Sequence, residues 1–313
     1  MNKKSIGFKV VDGLLLAGAI LPFVAVIALK VMFSAPSENI EIAGAMIYAQ
    51  IPVSFLPSMP IQITEAVVNS WAVVIAIFCL VLYLTHGIAV IPNSKRQLAA
   101  EWIVTTVNRL VHMNMGAYFK AFPPFIAAIL ALSALSSLSG LLGLYAPTGD
   151  ISIVAAWAIL VFGIITYYKL KCGLWYYVKG FTEPIIILLP LNVLGEVSTP
   201  VSMSFRHYGN IMSGSVIAVL ISAALTGMTQ ILLGWLPDAL SFLGDSAILR
   251  VGIPAVLSLY FDIFSGCMQA FIFAMLTMLN VTAAFPQEDY EARRAKKLAK
   301  KQAKAEKKLA KAA

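Results

Sequence analysis

Six apolar runs, each long enough to cross a lipid bilayer, constrain this chain more than any single motif does. They fall at about residues 11–33, 67–91, 122–145, 151–168, 184–233 and 247–285. About 20 residues in a helix cover the hydrocarbon core, so each run reads as a membrane helix. Hydrophobic residues make up 60% of the 313 positions and charged residues only 12%, at a mean hydropathy of +0.85, which excludes a soluble globule. The expected fold is all-α and polytopic. The last two runs are longer than one straight crossing and must tilt, bend or lie partly in the membrane plane.

Loop charges set an orientation by the positive-inside rule. Lys3, Lys4 and Lys9 precede the first run; Lys95, Arg96, Arg109 and Lys120 follow the second; Lys169, Lys171 and Lys179 follow the fourth. Acidic loops alternate with these: Glu38, Glu41 and Glu65, then Asp150, then Asp238 and Asp245. Six passes with both termini in the cytoplasm satisfy every loop. Lys30, near the end of the first run, is expected to snorkel. That run is too long for a signal-peptide core and lacks a small-x-small cleavage pattern.

Between the second and third runs, residues 97–119 place Leu98, Trp102, Ile103, Val107, Leu110 and Val111 at helical spacing among polar residues. This predicts an amphipathic helix on the cytoplasmic membrane surface. The C-terminal tail, residues 286–313, holds ten lysines and arginines against four acids, six units of the net charge of +8. A solvated extension near anionic headgroups accounts for it without nucleic-acid binding. Cys79, Cys172 and Cys267 are odd in number and widely spaced, which indicates packing residues rather than disulfides or a metal site.

The fifth and sixth runs carry nearly all the intramembrane polar chemistry. A guanidinium stays protonated at any working pH, and placing one in a bilayer costs roughly 2.5–3.5 kcal/mol on insertion scales. Arg206 therefore needs a partner or a task. At 3.6 residues per turn, Ser202, Arg206, Asn210 and Ser213 share a stripe, and Gly209, Ser213 and Gly214 leave room for a close neighbour. In the sixth run Asp262 and Gln269 are two turns apart, with Ser265 and Gly266 extending their face. A carboxylate in such surroundings suits a proton relay.

Two stretches resemble the subunit a family of F-type ATP synthases: Pro190-Leu-Asn-Val-Leu-Gly-Glu-Val-Ser-Thr-Pro-Val-Ser-Met-Ser-Phe-Arg-His-Tyr-Gly-Asn210, and Met268-Gln-Ala-Phe-Ile-Phe-Ala-Met-Leu-Thr277. The resemblance covers about residues 63–285. Residues 1–62 form an added membrane helix and outward loop, and 286–313 a basic tail. The implied protein is a proton-conducting stator subunit, with two long tilted or horizontal helices packed on a ring of c subunits. Two half-channels load and unload the ring's carboxylates, coupling ion flow to rotation. Arg206 matches the essential arginine that faces those carboxylates. Asn210 and Gln269 match its polar neighbours, Glu196 an acid of the inner half-channel, and Asp150 lies where the outer one is expected. Ser202, Ser215 and His207 complete the candidate ion path.

The implied partners are the c-ring, the b subunits of the peripheral stalk, the rest of the F1Fo complex, the lipid bilayer and the translocated proton, with sodium also possible. No cofactor, metal or nucleic acid is implied, and no phosphate-binding glycine loop with its Lys-Ser/Thr is found, so the chain is no enzyme by itself.

The sequence departs from the family pattern at coupled places. A carboxylate usual nine residues after the arginine is Ser215, and a histidine usual seven before the glutamine is Asp262, as if the acid had moved to the adjacent helix. Leu-Phe after the arginine is His207-Tyr208. Plainer roles remain open: an internal ion pair of Arg206 with Asp262 or Glu196, interhelical hydrogen bonding by Asn210 and Gln269, a helix cap for Asp150. A secondary ion-coupled transporter would also carry charges in interrupted helices, but no internal repeat relates the two halves.

Overall fold

The chain's architecture comes from a computed structural model that describes residues 6–33, 44–52, 60–92, 94–171, 173–182, 185–233, 256–257, 259–285 and seven positions between 290 and 302. Lys3, Lys4, Glu38, Glu41, Asp238, Asp245, Cys172 and most of the basic tail lie outside these residues, as does the start of the sixth run. Six helices are long and apolar enough to cross a membrane, in the order the sequence predicts. They are α1 (Ile6–Phe33), α2 (Glu65–Thr85), α4 (Pro123–Leu138), α5 (Ile151–Lys171), α7 (Leu189–Leu233) and α8 (Gly266–Ala283) with the turn that leads into it.

The amphipathic surface helix is α3 (Lys95–Met115), capped by the Ser94 hydroxyl, which accepts from the Gln97 N–H at 3.3 Å. Gly116, at φ 78°, ends it in a conformation that side chains other than glycine's resist. Two elements go beyond the sequence reading. A short helix, α6 (Leu174–Thr182), occupies the loop after α5. An antiparallel ribbon, β1 (Ile47–Ile51) paired with β2 (Ile61–Thr64), occupies part of the expected outward loop. Its alternating isoleucines carried the strand signal, outweighed by the surrounding membrane-helix pattern.

α7 runs 45 residues without a break, through Pro200. At about 1.5 Å per residue that is roughly 68 Å, more than twice the hydrocarbon thickness, so α7 cannot stand upright in a bilayer. The sixth run resolves into a π-helical turn, Tyr260–Ser265, continuous with α8. Such wide turns insert a residue into the helical register and frequently mark functional positions.

The main core is built from α3, α4, α5 and α8 around Ile126, Val161, Phe273 and Met278, with Met203 of α7 reaching in. α1 packs beside α2 through Val26, Phe23 and Ala72 and is ion-paired near both ends. At one end the Arg96 guanidinium donates to Asp12 Oδ1 at 2.8 Å, and the His86 ring lies against the same oxygen. At the other, Lys30 Nζ sits 3.0 Å from Glu65 Oε1 and donates to the Gly143 carbonyl. Lys30 thus reaches a fixed carboxylate instead of merely snorkelling. Lys171 Nζ lies 5.3 to 6.0 Å from the rings of Tyr118, Tyr168, Tyr290 and Phe285, which ties the start of the tail to the bundle.

α4 and the α8 region approach too closely for side chains at two points. A Cβ at Gly266 would lie 2.5 Å from Ser137 Cβ, and one at Gly140 would lie 3.0 Å from Asp262 Oδ1. Gly266→Val should therefore force these helices apart, at the roughly 1–3 kcal/mol that overpacking costs. The expected outcome is a clear loss of folded protein in the membrane fraction, read by quantitative immunoblot. Wild-type levels would show that the contact yields.

Candidate ion-path residues

Arg206 lies on the open face of α7. It is exposed, and among the described residues no carboxylate stands within ion-pair distance of it. Ser202 and Ser213 share this face, and a Cβ added at Gly209 would meet nothing within 4 Å. Three small residues thus surround one charge on a surface free to receive another polypeptide. Asn210, expected on the same stripe, turns partly inward: it accepts from Ser265 Oγ at 2.9 Å and donates to the Ser265 carbonyl at 3.5 Å. The structure therefore joins Asn210 to the π turn, not to Gln269. Gln269 is buried in α8 and has no hydrogen-bond partner among the described residues.

His207, next in sequence to Arg206, points the opposite way. It is wholly buried between Trp157 and Phe273, whose ring centroids lie 6.1 and 5.5 Å away in edge-on contacts. Its Nε2 is 3.2 Å from Ser133 Oγ, and its Nδ1 has no partner among the described residues. One residue of helical rotation, about 100°, separates an outward charge from a core histidine.

On one side of Arg206, residues 210–218 of α7 line a cavity of about 290 Å³ together with Tyr145, Gly149 and Asp262. Asn210 and Ser215 are in its wall. Gly214 lets the Phe261 ring within 3.0 Å of where a Cβ would stand, which closes the two helices around the cavity. The Asp262 carboxylate rests over Gly140 in this wall, half-buried. Ser215 Oγ donates to the Met212 carbonyl at 2.8 Å. Asp150 is not in the wall; its Oδ1 accepts from the Ser152 N–H at 2.9 Å, capping α5 beside Gly149. Tyr145, between α4 and α5, donates its hydroxyl to the Gly149 carbonyl. Burial, and then the charge of Asp150, push its phenol above the usual tyrosine range.

On the other side of Arg206, Glu196 borders two adjoining cavities of about 550 and 190 Å³. Its Oε1 is 2.9 Å from Lys169 Nζ and accepts from the Tyr177 hydroxyl at 3.2 Å. Burial first, and then the Glu196 charge, raise the Tyr177 pKa, so this phenol stays a donor. Pro200 lacks the N–H that would bond the Glu196 carbonyl one turn earlier in α7. Asn280 of α8 lines the smaller space. Lys169 figures in the sequence only as a loop charge, and Tyr177 carries no signal there. Their distance from Glu196 along the chain, 27 and 19 residues, leaves no periodic signal.

Neither internal ion pair open to Arg206 forms: Glu196 is held by Lys169, and the Asp262 carboxylate rests against Gly140. Among the described residues no three His, Cys, Asp or Glu side chains are grouped to hold a metal ion.

Because His207 leaves a buried nitrogen unpaired, His207→Leu should be tolerated, with Ser133 turning to the Ile129 carbonyl behind it. A thermal midpoint of the purified protein within about 4 °C of the parent's is expected, the shift that roughly 1 kcal/mol produces at this size. A much larger fall would make the Ser133 bond structural.

The family profile described as ATP synthase A chain matches residues 67–281. A protein named ATP synthase subunit a 2 from a Bradyrhizobium species is 32% identical over 227 residues, covering 72% of this chain and 90% of that protein. ATP synthase subunit a of Bacillus pumilus is 30% identical over 217 residues, 66% of this chain and 86% of its own. A Propionigenium modestum protein named ATP synthase subunit a, sodium ion specific, is 26% identical over 278 residues, 83% of this chain and 86% of its own.

Proposed function

The chain belongs to the ATP synthase A chain family, and we propose that it is the stator subunit whose two half-channels carry protons to and from a rotating c-ring. It is a multi-span membrane protein, the non-catalytic subunit a of the Fo sector within the F1Fo complex. The observation that carries the mechanism is the placement of Arg206: exposed, without a carboxylate partner among the described residues, and between two cavities that each hold a carboxylate, Asp262 or Glu196. Thr199 and Asn210, the facing limits of those cavities on α7, are eleven residues apart, about 16 Å along the helix.

The cavity at Asp262, Asn210 and Ser215 serves as the outer half-channel, with Asp150 near its mouth. A proton passing Asp262 neutralises a c-ring carboxylate at the open face of α7. The neutral side chain can then enter lipid, where the ionised one would be heavily penalised. After rotation the carboxyl reaches the side of Glu196 and releases its proton into the inner cavity. Arg206 attracts the resulting anion and, being a fixed cation, repels a proton seeking to cross directly. Ser202 and Gln269 furnish polar surface flanking the exchange, and His207 supports the backbone beneath Arg206 from the core. Each charge crossing 100 mV yields about 2.3 kcal/mol for the ATP chemistry elsewhere in the complex.

In this reading both termini are cytoplasmic, and the b subunits of the peripheral stalk hold the chain against the torque of the ring. The membrane is the bacterial inner membrane.

Arg206→Lys removes the planar fork and introduces a group able to lose its proton. ATP-driven proton uptake by inverted vesicles should fall about tenfold or more, a barrier change of at least 1.4 kcal/mol. Near wild-type pumping would sink the assignment. Asp262→Asn should impair pumping while the complex still assembles on native gels; unchanged pumping would remove Asp262 from the path. Sodium dependence of ATP hydrolysis by the whole complex would replace the proton with sodium.

A further inference from the structure

Several cations at the ends of the helices are engaged inside the protein: Lys30 by Glu65, Arg96 by Asp12, Lys169 by Glu196, and Lys171 among aromatic rings. Arg109 and Lys120 differ from these. Among the described residues neither has an ion pair or a side-chain hydrogen bond, and both border one cavity of about 460 Å³ where α3 gives way to α4.

Helical spacing builds this recess. Val107, Val111 and Met115 turn one face of α3 onto the bundle core. Asn108, Arg109 and His112 then come round an adjoining flank, and the reversal at Gly116 brings Lys120 to the same opening. Val111 and Phe119, both buried, form an apolar floor beneath the cationic rim. No carboxylate is among the lining side chains. Glu101, two turns before Asn108, accepts from Gln97 Nε2 at 2.8 Å instead.

The recess lies at a membrane surface, because α2 ends at Thr85 and α4 begins at Pro123, both on one side of the bilayer. Leu98, Trp102 and Met113 are 61, 69 and 76% exposed, and they share with Arg109 the face of α3 turned from the core. Large apolar side chains, one of them an indole, suit the boundary between headgroups and acyl chains. A molecule seated at the rim would meet cations at one end and apolar surface beside them.

We propose that Arg109, His112 and Lys120 form a headgroup site for an anionic phospholipid of the leaflet on which α3 lies. The guanidinium can donate two parallel hydrogen bonds to phosphate oxygens, and Lys120 adds a point charge. His112, Asn108 and Thr105 supply further donors around the same space. Basic recesses beside membrane helices are suited to such headgroups. The bound lipid fastens the junction of α3 and α4 to the bilayer. The site depends on the six membrane passes and on no step of the ion path.

Photolabelling tests it. The purified F1Fo complex is reconstituted in phosphatidylcholine vesicles doped with either phosphatidylglycerol or phosphatidylcholine carrying a diazirine in the headgroup. After illumination, lipid adducts are mapped by peptide mass spectrometry. Adducts of the phosphatidylglycerol probe should concentrate in residues 102–123 and clearly exceed those of the phosphatidylcholine probe. One basic side chain near a charged bilayer surface is worth about fivefold in affinity, so Arg109→Gln with Lys120→Gln should cut this labelling about tenfold or more. Arg109→Lys with Lys120→Arg keeps both charges and should retain most of it, at equal amounts of assembled complex on native gels. The comparison of the two lipids needs no variant, so it decides even where the glutamine pair fails to assemble. Equal labelling by the two lipids, or undiminished labelling of the assembled glutamine pair, overturns the site. Displacement of the adduct by inorganic phosphate would make it a site for free anions and overturn the lipid.

Discussion

A guanidinium that cannot be neutralised, held in an apolar layer, makes the arrangement of the surrounding helices intelligible. Arg206 and His207 are turned about 100° apart on α7, so the helix presents its charge outward and its histidine to the core. The carboxylates of the fifth and sixth runs are kept from it. Glu196 is bound to Lys169 and Tyr177, and Asp262 is drawn toward α4. Had either carboxylate paired with Arg206, a passing external carboxylate would have had to compete with a fixed one. Separating them keeps the arginine's attraction for the moving partner.

That separation depends on close helix packing. Gly140 gives the Asp262 carboxylate its place against α4, Gly266 admits Ser137, and Gly214 admits Phe261. The π turn at Tyr260–Ser265 changes the helical register between Asp262 and α8, and Ser265 within it binds Asn210. Three glycines and one wide turn therefore set the wall of the cavity at Asp262. The length of α7 does the rest: a helix about 68 Å long must lie steeply tilted, which lets one element border both cavities with Arg206 between them.

The N-terminal helix α1 lies along α2 and is pinned by charge near both ends. Few of its side chains are buried, Val26 among them, while Asp12 and Lys30 bind partners near opposite ends of α2. A residue that looks like a snorkelling lysine in sequence pairs in space with a buried carboxylate. The distinction matters because Glu65 also holds the Tyr145 backbone. Through that contact α1 reaches the same loop that walls the Asp262 cavity.

The sequence by itself determined the six crossings, the surface helix α3 and the prominence of Arg206, because hydropathy and charge in a membrane are local, strongly penalised quantities. It also singled out Glu196 and Asn210 within the longer motif, and Ser215 and Asp262 by their offsets from Arg206 and Gln269. Which way those side chains turn was decided only by tertiary structure. Helical periodicity put Asn210 beside Arg206, but a hydrogen bond to Ser265 draws it inward, and a one-residue step sends His207 into the core. Lys169, Tyr177, Tyr145 and the ribbon strands gained their places from partners far along the chain. Such pairings are set by how helices pack, and no local pattern of residues records them.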